Sequence, residues 1–298
     1  MPFVQNRPGL ADRRAPKYAQ PVIEPAVVRL TAETLPDNVA LSRSVGWQDT
    51  ESDWRVLHEA ATVFGVRSAG RLVAQVGLGD YGRAGTVAKM VVAPEAQGQK
   101  IGGRLMETLL EEAERRAMPV LGLVATDAGR PLYERRGFAA VGETVVLVGT
   151  PAPLAFTGAA APLADAAAAA RVEGRWMDCS RAVLLGARFR EAIATSALVG
   201  RDGGVRAFAM ATAQGPVALI GPIVAETEDE ARMLITSLFQ RAPGPVRIDV
   251  PAEHAGFRSW LQQLGLQEQV RRLEMARGAA RLPWQVPQRF ALASQAWG

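Results

Sequence analysis

Residues 91–103 carry the sequence features best suited to bind a charged ligand. A β-branched stretch that includes Val91 and Val92 leads through a turn containing Gly98 into a helix that starts near Gly102 and Gly103. A helix start leaves backbone N–H groups unpaired and carries a partial positive charge, so it binds a pyrophosphate mainly through its main chain. We therefore predict a diphosphate site here. Taken alone, the segment also suits an ordinary strand-to-helix connection.

A second segment, residues 126–138, contains Leu132-Tyr133 and closes with Gly137-Phe138. Tyrosine buries a large ring while it keeps one polar end, so Tyr133 suits a packing role beneath a ligand or the sheet.

Together, these segments resemble the GCN5-related N-acetyltransferases (GNAT). The run Gln97-Gly98-Gln99-Lys100-Ile101-Gly102 is similar to the acetyl-CoA signature Arg/Gln-x-x-Gly-x-Gly/Ala, with Lys100 in place of a glycine. Residues 126–138 resemble the closing segment Asn-x-x-Ala-x-x-Leu-Tyr followed by Gly-Phe, with Thr126 where asparagine is common. Lys100 fits with right-handed helical dihedrals, whereas a positive φ would strain it.

The resemblance implies direct transfer of the acetyl group of acetyl-CoA to an amine, with no metal. Strand residues 90–92 would pair with the pantetheine amides, the turn would hold the pyrophosphate, and Tyr133 would protonate the departing CoA thiolate as the catalytic acid. The acceptor is expected to be a primary amine of a small molecule. The predicted acetyl-CoA contacts are Met90, Val91, Val92, Gln97, Gly98, Gln99, Lys100, Ile101, Gly102, Gly103 and Thr126.

A wider resemblance covers nearly the whole chain. Gly46-Trp47, Asp53-Trp54 and residues 290–298 are similar to the bacterial YitH-like tandem acetyltransferases. This implies an α/β fold with two tandem GNAT-like domains, each a mixed, mostly antiparallel central sheet flanked by helices. We expect a flexible N-terminal arm over 1–25, a catalytic domain over 26–150, a linker over 151–170 and a degenerate domain over 171–298.

Periodicity supports this order of elements. Ile101, Leu105, Leu109 and Ala113 share one face of a predicted helix. Strand-like and helical patterns then repeat through the second half, beginning with a helix predicted over 181–193.

The second half lacks a Gln-Gly-x-Gly-type turn. Acidic residues occupy the corresponding helix start, where they favour the helix dipole and repel phosphate; they are Glu226, Glu228, Asp229 and Glu230. We therefore expect this half to shape the acceptor pocket without binding CoA, with Trp47 and Trp54 as an apolar wall.

The group that removes the amine proton is left open. Many family members place an acid on the strand before the signature, but Ala88, Lys89 and Met90 stand there in this chain. Asp49, Glu51 and Asp80 remain candidates.

Composition excludes several classes. The chain has 298 residues, enough for two domains, with 48% hydrophobic and 21% charged residues and a net charge of +4. One cysteine, Cys179, and two histidines offer no zinc cluster and no internal disulfide. No signal peptide or membrane span is evident, so a cytoplasmic protein without membrane or metal partners is expected.

Two other function classes stay open. A non-catalytic acyl-CoA-binding regulatory module would bind the donor without turnover. A basic nucleic-acid-binding protein would show strongly salt-dependent binding, although the arginines are scattered, which favours no nucleic-acid partner. The oligomeric state is also open, a homodimer included.

Overall fold

The computed structural model describes residues 26–154 and 160–298. The arm predicted over 1–25 lies outside the described residues. Among the described helices, none is both long enough and apolar enough to cross a bilayer.

The first half alternates strands and helices. Its elements are β1 (Val27–Leu30), α1 (Leu35–Ser44), α2 (Glu51–Ala60), β2 (Ala61–Ser68), β3 (Arg71–Asp80), β4 (Ala84–Val92), α3 (Ile101–Arg115), β5 (Val120–Ala125), α4 (Arg130–Glu134) and β6 (Ala139–Gly149). The predicted apolar face of α3 is confirmed, since Ile101, Leu105, Leu109 and Ala113 are all buried. This face holds α3 on the sheet.

The second half repeats much of this order. Its elements are α5 (Ala166–Glu173), α6 (Ala182–Arg190), β7 (Ala192–Val199), β8 (Val205–Gln214), β9 (Val217–Val224), α7 (Glu228–Arg241), β10 (Val246–Pro251), α8 (Ala255–Gln263), β11 (Gln267–Arg277) and β12 (Arg289–Ala291). The repeated run of three strands, helix, strand, helix and strand confirms the duplicated fold.

Two local predictions differ from the structure, and one strand, β12, was not predicted. The helix predicted over 181–193 ends at Arg190, and β7 starts at Ala192, where Ile193 begins an alternation of larger and smaller residues. Within the predicted linker, Asp165 caps α5 by accepting a hydrogen bond from the Ala168 N–H, so the Ala-rich stretch is helical. β12 is too short to show a period of its own.

In the described part of the chain, the strands form one continuous sheet of twelve. The order along it is β1-β2-β3-β4-β5-β11-β6-β10-β9-β8-β7, and β12 pairs with β9. The pairs β4/β5 and β9/β10 are parallel, and the others are antiparallel. Each half is therefore mixed and mostly antiparallel, as predicted.

The two halves exchange their last strands. β11 lies between β5 and β6 of the first half, while β6 lies between β11 and β10 of the second half. Each half thus completes its sheet with a strand from the other. The sequence predicts a separate sheet for each domain and does not reveal this exchange. Periodicity reports which face of a strand is buried, and not which strand lies beside it.

The C-terminal residues pack back onto the first half. Trp284 and Trp297 are buried there, and the Tyr81 hydroxyl donates to the Trp297 carbonyl oxygen at 2.8 Å. The Arg181 guanidinium donates to the Gly298 carbonyl oxygen at 2.6 Å, while its ion pair with Glu173 keeps it in place. These contacts fix residues 294–296 beside β4.

The strand exchange predicts that the first half does not fold alone. A fragment of residues 1–154 lacks β11, so β5 and β6 both lose a neighbour and expose unpaired backbone edges. We expect no cooperative urea transition by circular dichroism for this fragment, and a restored transition when residues 155–298 are co-expressed with it. Cooperative unfolding of the isolated fragment as a monomer would contradict the exchange.

Candidate active site

A gap between β4 and β5 forms the floor of the site. The two strands pair only between residues 84–86 and 120–122. Further along β4, Lys89 and Met90 stand opposite the single residue Val76 of β3, and Lys89 has φ +48°. Such a bulge bends its strand, so β4 diverges from β5. Among the described strands, none pairs with residues 90–92 on the β5 side.

The cleft above this gap has a volume of about 790 Å³. Tyr133 lines it, and so do all the predicted cofactor contacts except one; these are Met90, Val91, Val92, Gln97, Gly98, Lys100, Ile101, Gly102, Gly103 and Thr126. The exception is Gln99, whose side-chain amide donates instead to the Glu95 carbonyl oxygen at 3.1 Å. The sequence segments that are far apart therefore meet in one cleft.

The start of α3 presents unpaired backbone donors to this cleft. Its first helical hydrogen bond runs from the Arg104 N–H to the Lys100 carbonyl oxygen, so the preceding N–H groups have no helical acceptor. Gly98 has φ +77°, and the Gln97 amide ties the turn to the Val92 carbonyl oxygen at 3.1 Å. This arrangement suits a bound diphosphate.

Lys100 departs from the ordinary helical geometry that would suit a lysine. It precedes the first helical residue with φ +61° and ψ +10°, which is the left-handed region. The glycine of the family signature adopts this region without a Cβ penalty, whereas lysine is strained in it. The chain keeps the turn despite the substitution.

Cationic side chains surround the cleft. Lys100, Arg104, Arg135 and Arg136 line it, and Glu107 is the acidic residue among its lining. Arg136 joins the helices on either side, because it donates to the Gly103 carbonyl oxygen at 2.9 Å and to the Leu132 carbonyl oxygen at 3.3 Å. This charge distribution favours a polyanionic ligand.

Tyr133 lies on α4 with its ring packed edge-on against Phe138, and it is 7% exposed. Burial raises its pKa to about 12, so the hydroxyl is protonated at neutral pH. Thr126 sets the preceding turn by accepting a hydrogen bond from the Gly129 N–H at 3.1 Å.

A second cavity, of about 400 Å³, lies next to the cleft at Tyr133. Trp47, Met90, Thr126 and Tyr133 line both cavities. Its remaining walls come from both halves of the chain and include Gln48, Asp49, Lys89, Val124, Val148, Gln214, Pro216, Val217, Arg247, Ser294, Gln295 and Ala296. Tyr133 therefore lies at the junction between a large cationic cleft and a smaller pocket.

Of the three candidate bases, only Asp49 lines the smaller cavity. It is buried, its Oδ1 lies 2.6 Å from Lys89 Nζ, and its Oδ2 accepts from the Ser42 hydroxyl. Glu51 is exposed in the first turn of α2, and Asp80 pairs with Arg116. The Lys89 ammonium lies 5.1 Å from the centre of a Trp54 ring.

The predicted tryptophan wall is half correct. Trp47 is partly buried and lines both cavities, whereas Trp54 is fully buried in the core. Trp54 follows the cap residue Thr50 by four positions, which turns its side chain inward on α2.

In the second half, β12 fills the gap that corresponds to the cleft. β9 and β10 pair only between 218–220 and 246–248. Beyond this, β12 pairs with Ile223 and Val224, and the Leu292 N–H donates to the Asp249 carbonyl oxygen. The start of α7 is capped as well, because Thr227 Oγ1 accepts from the Glu230 N–H and the Glu230 carboxylate accepts from the Glu226 N–H.

Comparison with protein families decides the classification. Models described as acetyltransferase (GNAT) domains match residues 59–140 and residues 170–291. The chain is a tandem GNAT acyltransferase. This confirms the predicted superfamily and the two tandem domains.

Several relatives match this tandem GNAT protein over most of its length. It is 27% identical over 252 residues to the uncharacterized N-acetyltransferase YitH of Bacillus subtilis, over 80% of this chain and 86% of that one. A putative acetyltransferase of Pyrococcus horikoshii has the same fold, with a TM-score of 0.78 at 16% identity over 92% and 96% of the two chains. A tandem GNAT protein from the clavulanic acid biosynthesis pathway matches with a TM-score of 0.61 at 18% identity, over 86% and 99%.

Several lining residues of this GNAT protein were not predicted from the sequence. Arg104, Arg135 and Arg136 border the larger cleft, and Arg247 and Gln214 reach the smaller cavity from the second half. The adjacent Arg135-Arg136, so close to Tyr133, was the available signal for the cleft. For the smaller cavity, the signal was Arg247 and Asp249, which share one face of a strand.

The left-handed conformation predicts that Lys100→Gly stabilises the fold. Removing the Cβ relieves the strain, and the greater freedom of glycine in the unfolded chain offsets part of the gain, so we expect about 1 kcal/mol. Lys100→Ala removes the same charge but keeps the strain, and should leave stability nearly unchanged. Urea unfolding of the three proteins measures this, and equal stabilities for the glycine and alanine variants would contradict it.

Proposed function

We propose that this GNAT protein transfers the acetyl group of acetyl-CoA directly to a primary amine of a small molecule. The observation that carries the proposal is the position of Tyr133, which lies where the cationic cleft and the smaller cavity meet. A group at this junction can reach both a thioester from one side and an acceptor from the other.

The larger cleft supports acetyl-CoA as the donor. Its unpaired N–H groups and its cations suit the diphosphate, and the free edge of β4 at residues 90–92 suits the amides of the pantetheine arm. The proposed cofactor contacts are the predicted ones without the Gln99 side chain, joined by Arg104, Arg135 and Arg136. When bound, acetyl-CoA supplies the activated acyl group.

The chain's own residues then hold the reacting groups together. Trp47 and Met90 would orient the thioester at the junction, and the acceptor nitrogen would attack from the smaller cavity. The thiolate that leaves needs a proton, and a tyrosine whose pKa is raised to about 12 is still protonated and able to supply it. The proton that the nitrogen loses as the amide forms then restores the tyrosine, so the transfer balances. Transfer of this kind needs no cysteine nucleophile.

The acceptor side supports a small molecule. A cavity of about 400 Å³ lies within the range of small-molecule sites, about 300–1,000 Å³. Its walls come partly from the second half, which supports a substrate-shaping role for that domain. β12 in the equivalent gap and the acidic, capped start of α7 support a second domain that binds no CoA.

Replacing Tyr133 by phenylalanine tests its role as the acid. We expect kcat to fall about 100-fold, within the range of general acid catalysis, while the Kd for acetyl-CoA changes about twofold at most. The assay is thiol release with an active amine, and the Kd comes from calorimetry. Glu134→Gln, beside it on α4 and outside the lining of both cavities, is the control and should keep both values.

The pH dependence gives an independent check. An acid is active only while it is protonated, so a pKa of about 12 predicts no loss of kcat from Tyr133 between pH 8 and about pH 10. A basic limb near pH 9 that disappears in Tyr133→Phe would contradict the raised pKa. In Tyr133→Phe, equal losses of kcat and of acetyl-CoA affinity would show that the Tyr133 ring only packs.

A further inference from the structure

The smaller cavity contains a charged group that acetyl transfer to a simple amine would not need. Arg247 reaches it from β10 of the second half, next to Gln214 at the end of β8. The tip of the β8–β9 hairpin lies against the first half, since a Cβ at Gly215 would contact the Gln48 side chain at 3.4 Å. Arg247 therefore lies where the two halves meet.

Asp249 holds the Arg247 guanidinium in one orientation. Nε and Nη2 of Arg247 each donate to one oxygen of the Asp249 carboxylate, both at 2.9 Å. Asp249 is fully buried, whereas the Arg247 side chain is 23% exposed. A bidentate pair of this type fixes the plane of the guanidinium and leaves its far edge for another partner.

That far edge points to a ligand. Nη1 has one long contact, 3.3 Å to the Gln214 side-chain oxygen, so N–H groups of Nη1 and Nη2 remain for a second acceptor. The Nη1/Nη2 edge has the spacing that matches the two oxygens of a carboxylate. The Gln214 side chain lies beside this edge of the guanidinium.

Lys89, the other cation in the cavity lining, is less suited to this role. Its side chain is 9% exposed, its ammonium is paired with Asp49 at 2.6 Å, and it lies over the Trp54 ring. Besides these two cations, the ionisable side chains that line the cavity are Asp49 and Tyr133. The Asp49 carboxylate is likewise occupied by Lys89 and by the Ser42 hydroxyl, so the guanidinium edge of Arg247 is the charged group in this lining that is left for a ligand.

We propose that the acceptor is an amino acid or a similar small amine that carries a carboxylate, and that Arg247 binds this carboxylate with Asp249 as its positioning residue. This inference rests on the proposed acetyltransferase function and specifies its substrate class. The amine would face Tyr133 and Met90, and the carboxylate would pair with the Nη1/Nη2 edge. The apolar walls Val124, Val148 and Val217 would contact the carbon chain between them.

Matched acceptors test this recognition. α-Amino acids and ω-amino acids, such as phenylalanine, leucine and 5-aminopentanoate, are each compared with their carboxamides at fixed acetyl-CoA. A charged hydrogen-bonded pair favours the carboxylate by about tenfold or more in kcat/KM. For each protein, kcat/KM for the carboxylate is divided by kcat/KM for its carboxamide, which cancels the fraction of active enzyme. Comparing this ratio between the wild type and the variants then cancels the difference in amine basicity within the pair.

Three variants identify the group responsible. Arg247→Leu combined with Asp249→Leu removes the buried pair as a unit, and its carboxylate-to-carboxamide ratio should fall to about one. Arg247→Lys keeps the charge without the planar edge and should give an intermediate ratio. Arg201→Leu, on the exposed turn between β7 and β8, is the control and should keep the wild-type ratio.

The outcomes separate this inference from the proposed function. A wild-type ratio near one, or an unchanged ratio in the folded double variant, overturns carboxylate recognition and leaves acetyl transfer intact. Acetyl-CoA binding without acetylation of any pair also overturns it, because small amino acids are then not the acceptors. No acetyl-CoA binding at all overturns the proposed function and this inference together.

Discussion

The divergence of β4 from β5 is the feature on which the rest of the site depends. Two adjacent parallel strands would normally pair along their length and leave no room between them. Here, the bulge at Lys89 and Met90 ends the pairing after Thr86, which exposes one edge of β4 and opens a cleft down to the sheet. The unpaired start of α3, the arginines and Tyr133 all face this gap. The equivalent gap in the second half is filled by β12, so similar folds give one open cleft and one closed one.

The exchange of β6 and β11 explains why the second domain is part of the site. Because these strands pass into each other's sheet, the sheet is continuous and the hairpin of β8 and β9 is held beside the loop around Gln48. The smaller cavity then takes Asp49 and Lys89 from one half and Gln214 and Arg247 from the other. The larger cleft, in contrast, is lined by residues of the first half. A duplicated domain whose own gap is filled can thus still line a cavity of the other domain.

The sequence predicted most of the residues that line the larger cleft because they are consecutive. The run from Gln97 to Gly103 forms one turn and one helix start, so spacing along the chain translates directly into position in space. Tyr133 was found in the same way, from a contiguous segment. Arg247 was not, because it reaches the cavity only through the pairing of β10 with β6, and strand partners are set by tertiary structure rather than by local pattern. The residue types left open whether Lys100 adopts a right-handed or a left-handed conformation, and the structure shows the left-handed one.

Calorimetric titration with acetyl-CoA tests the central claim most directly, with Gly102→Glu and Gly102→Gln titrated alongside the wild type. A Cβ at Gly102 would make ordinary contacts of 3.5 Å with Val92 and 3.7 Å with Leu132, so both variants are expected to fold. One open cleft per chain predicts a stoichiometry of one, and a Kd about tenfold weaker for glutamate than for its uncharged isostere, because the added charge faces the diphosphate. Two sites per chain, no binding, or equal affinity of the two variants would contradict the account.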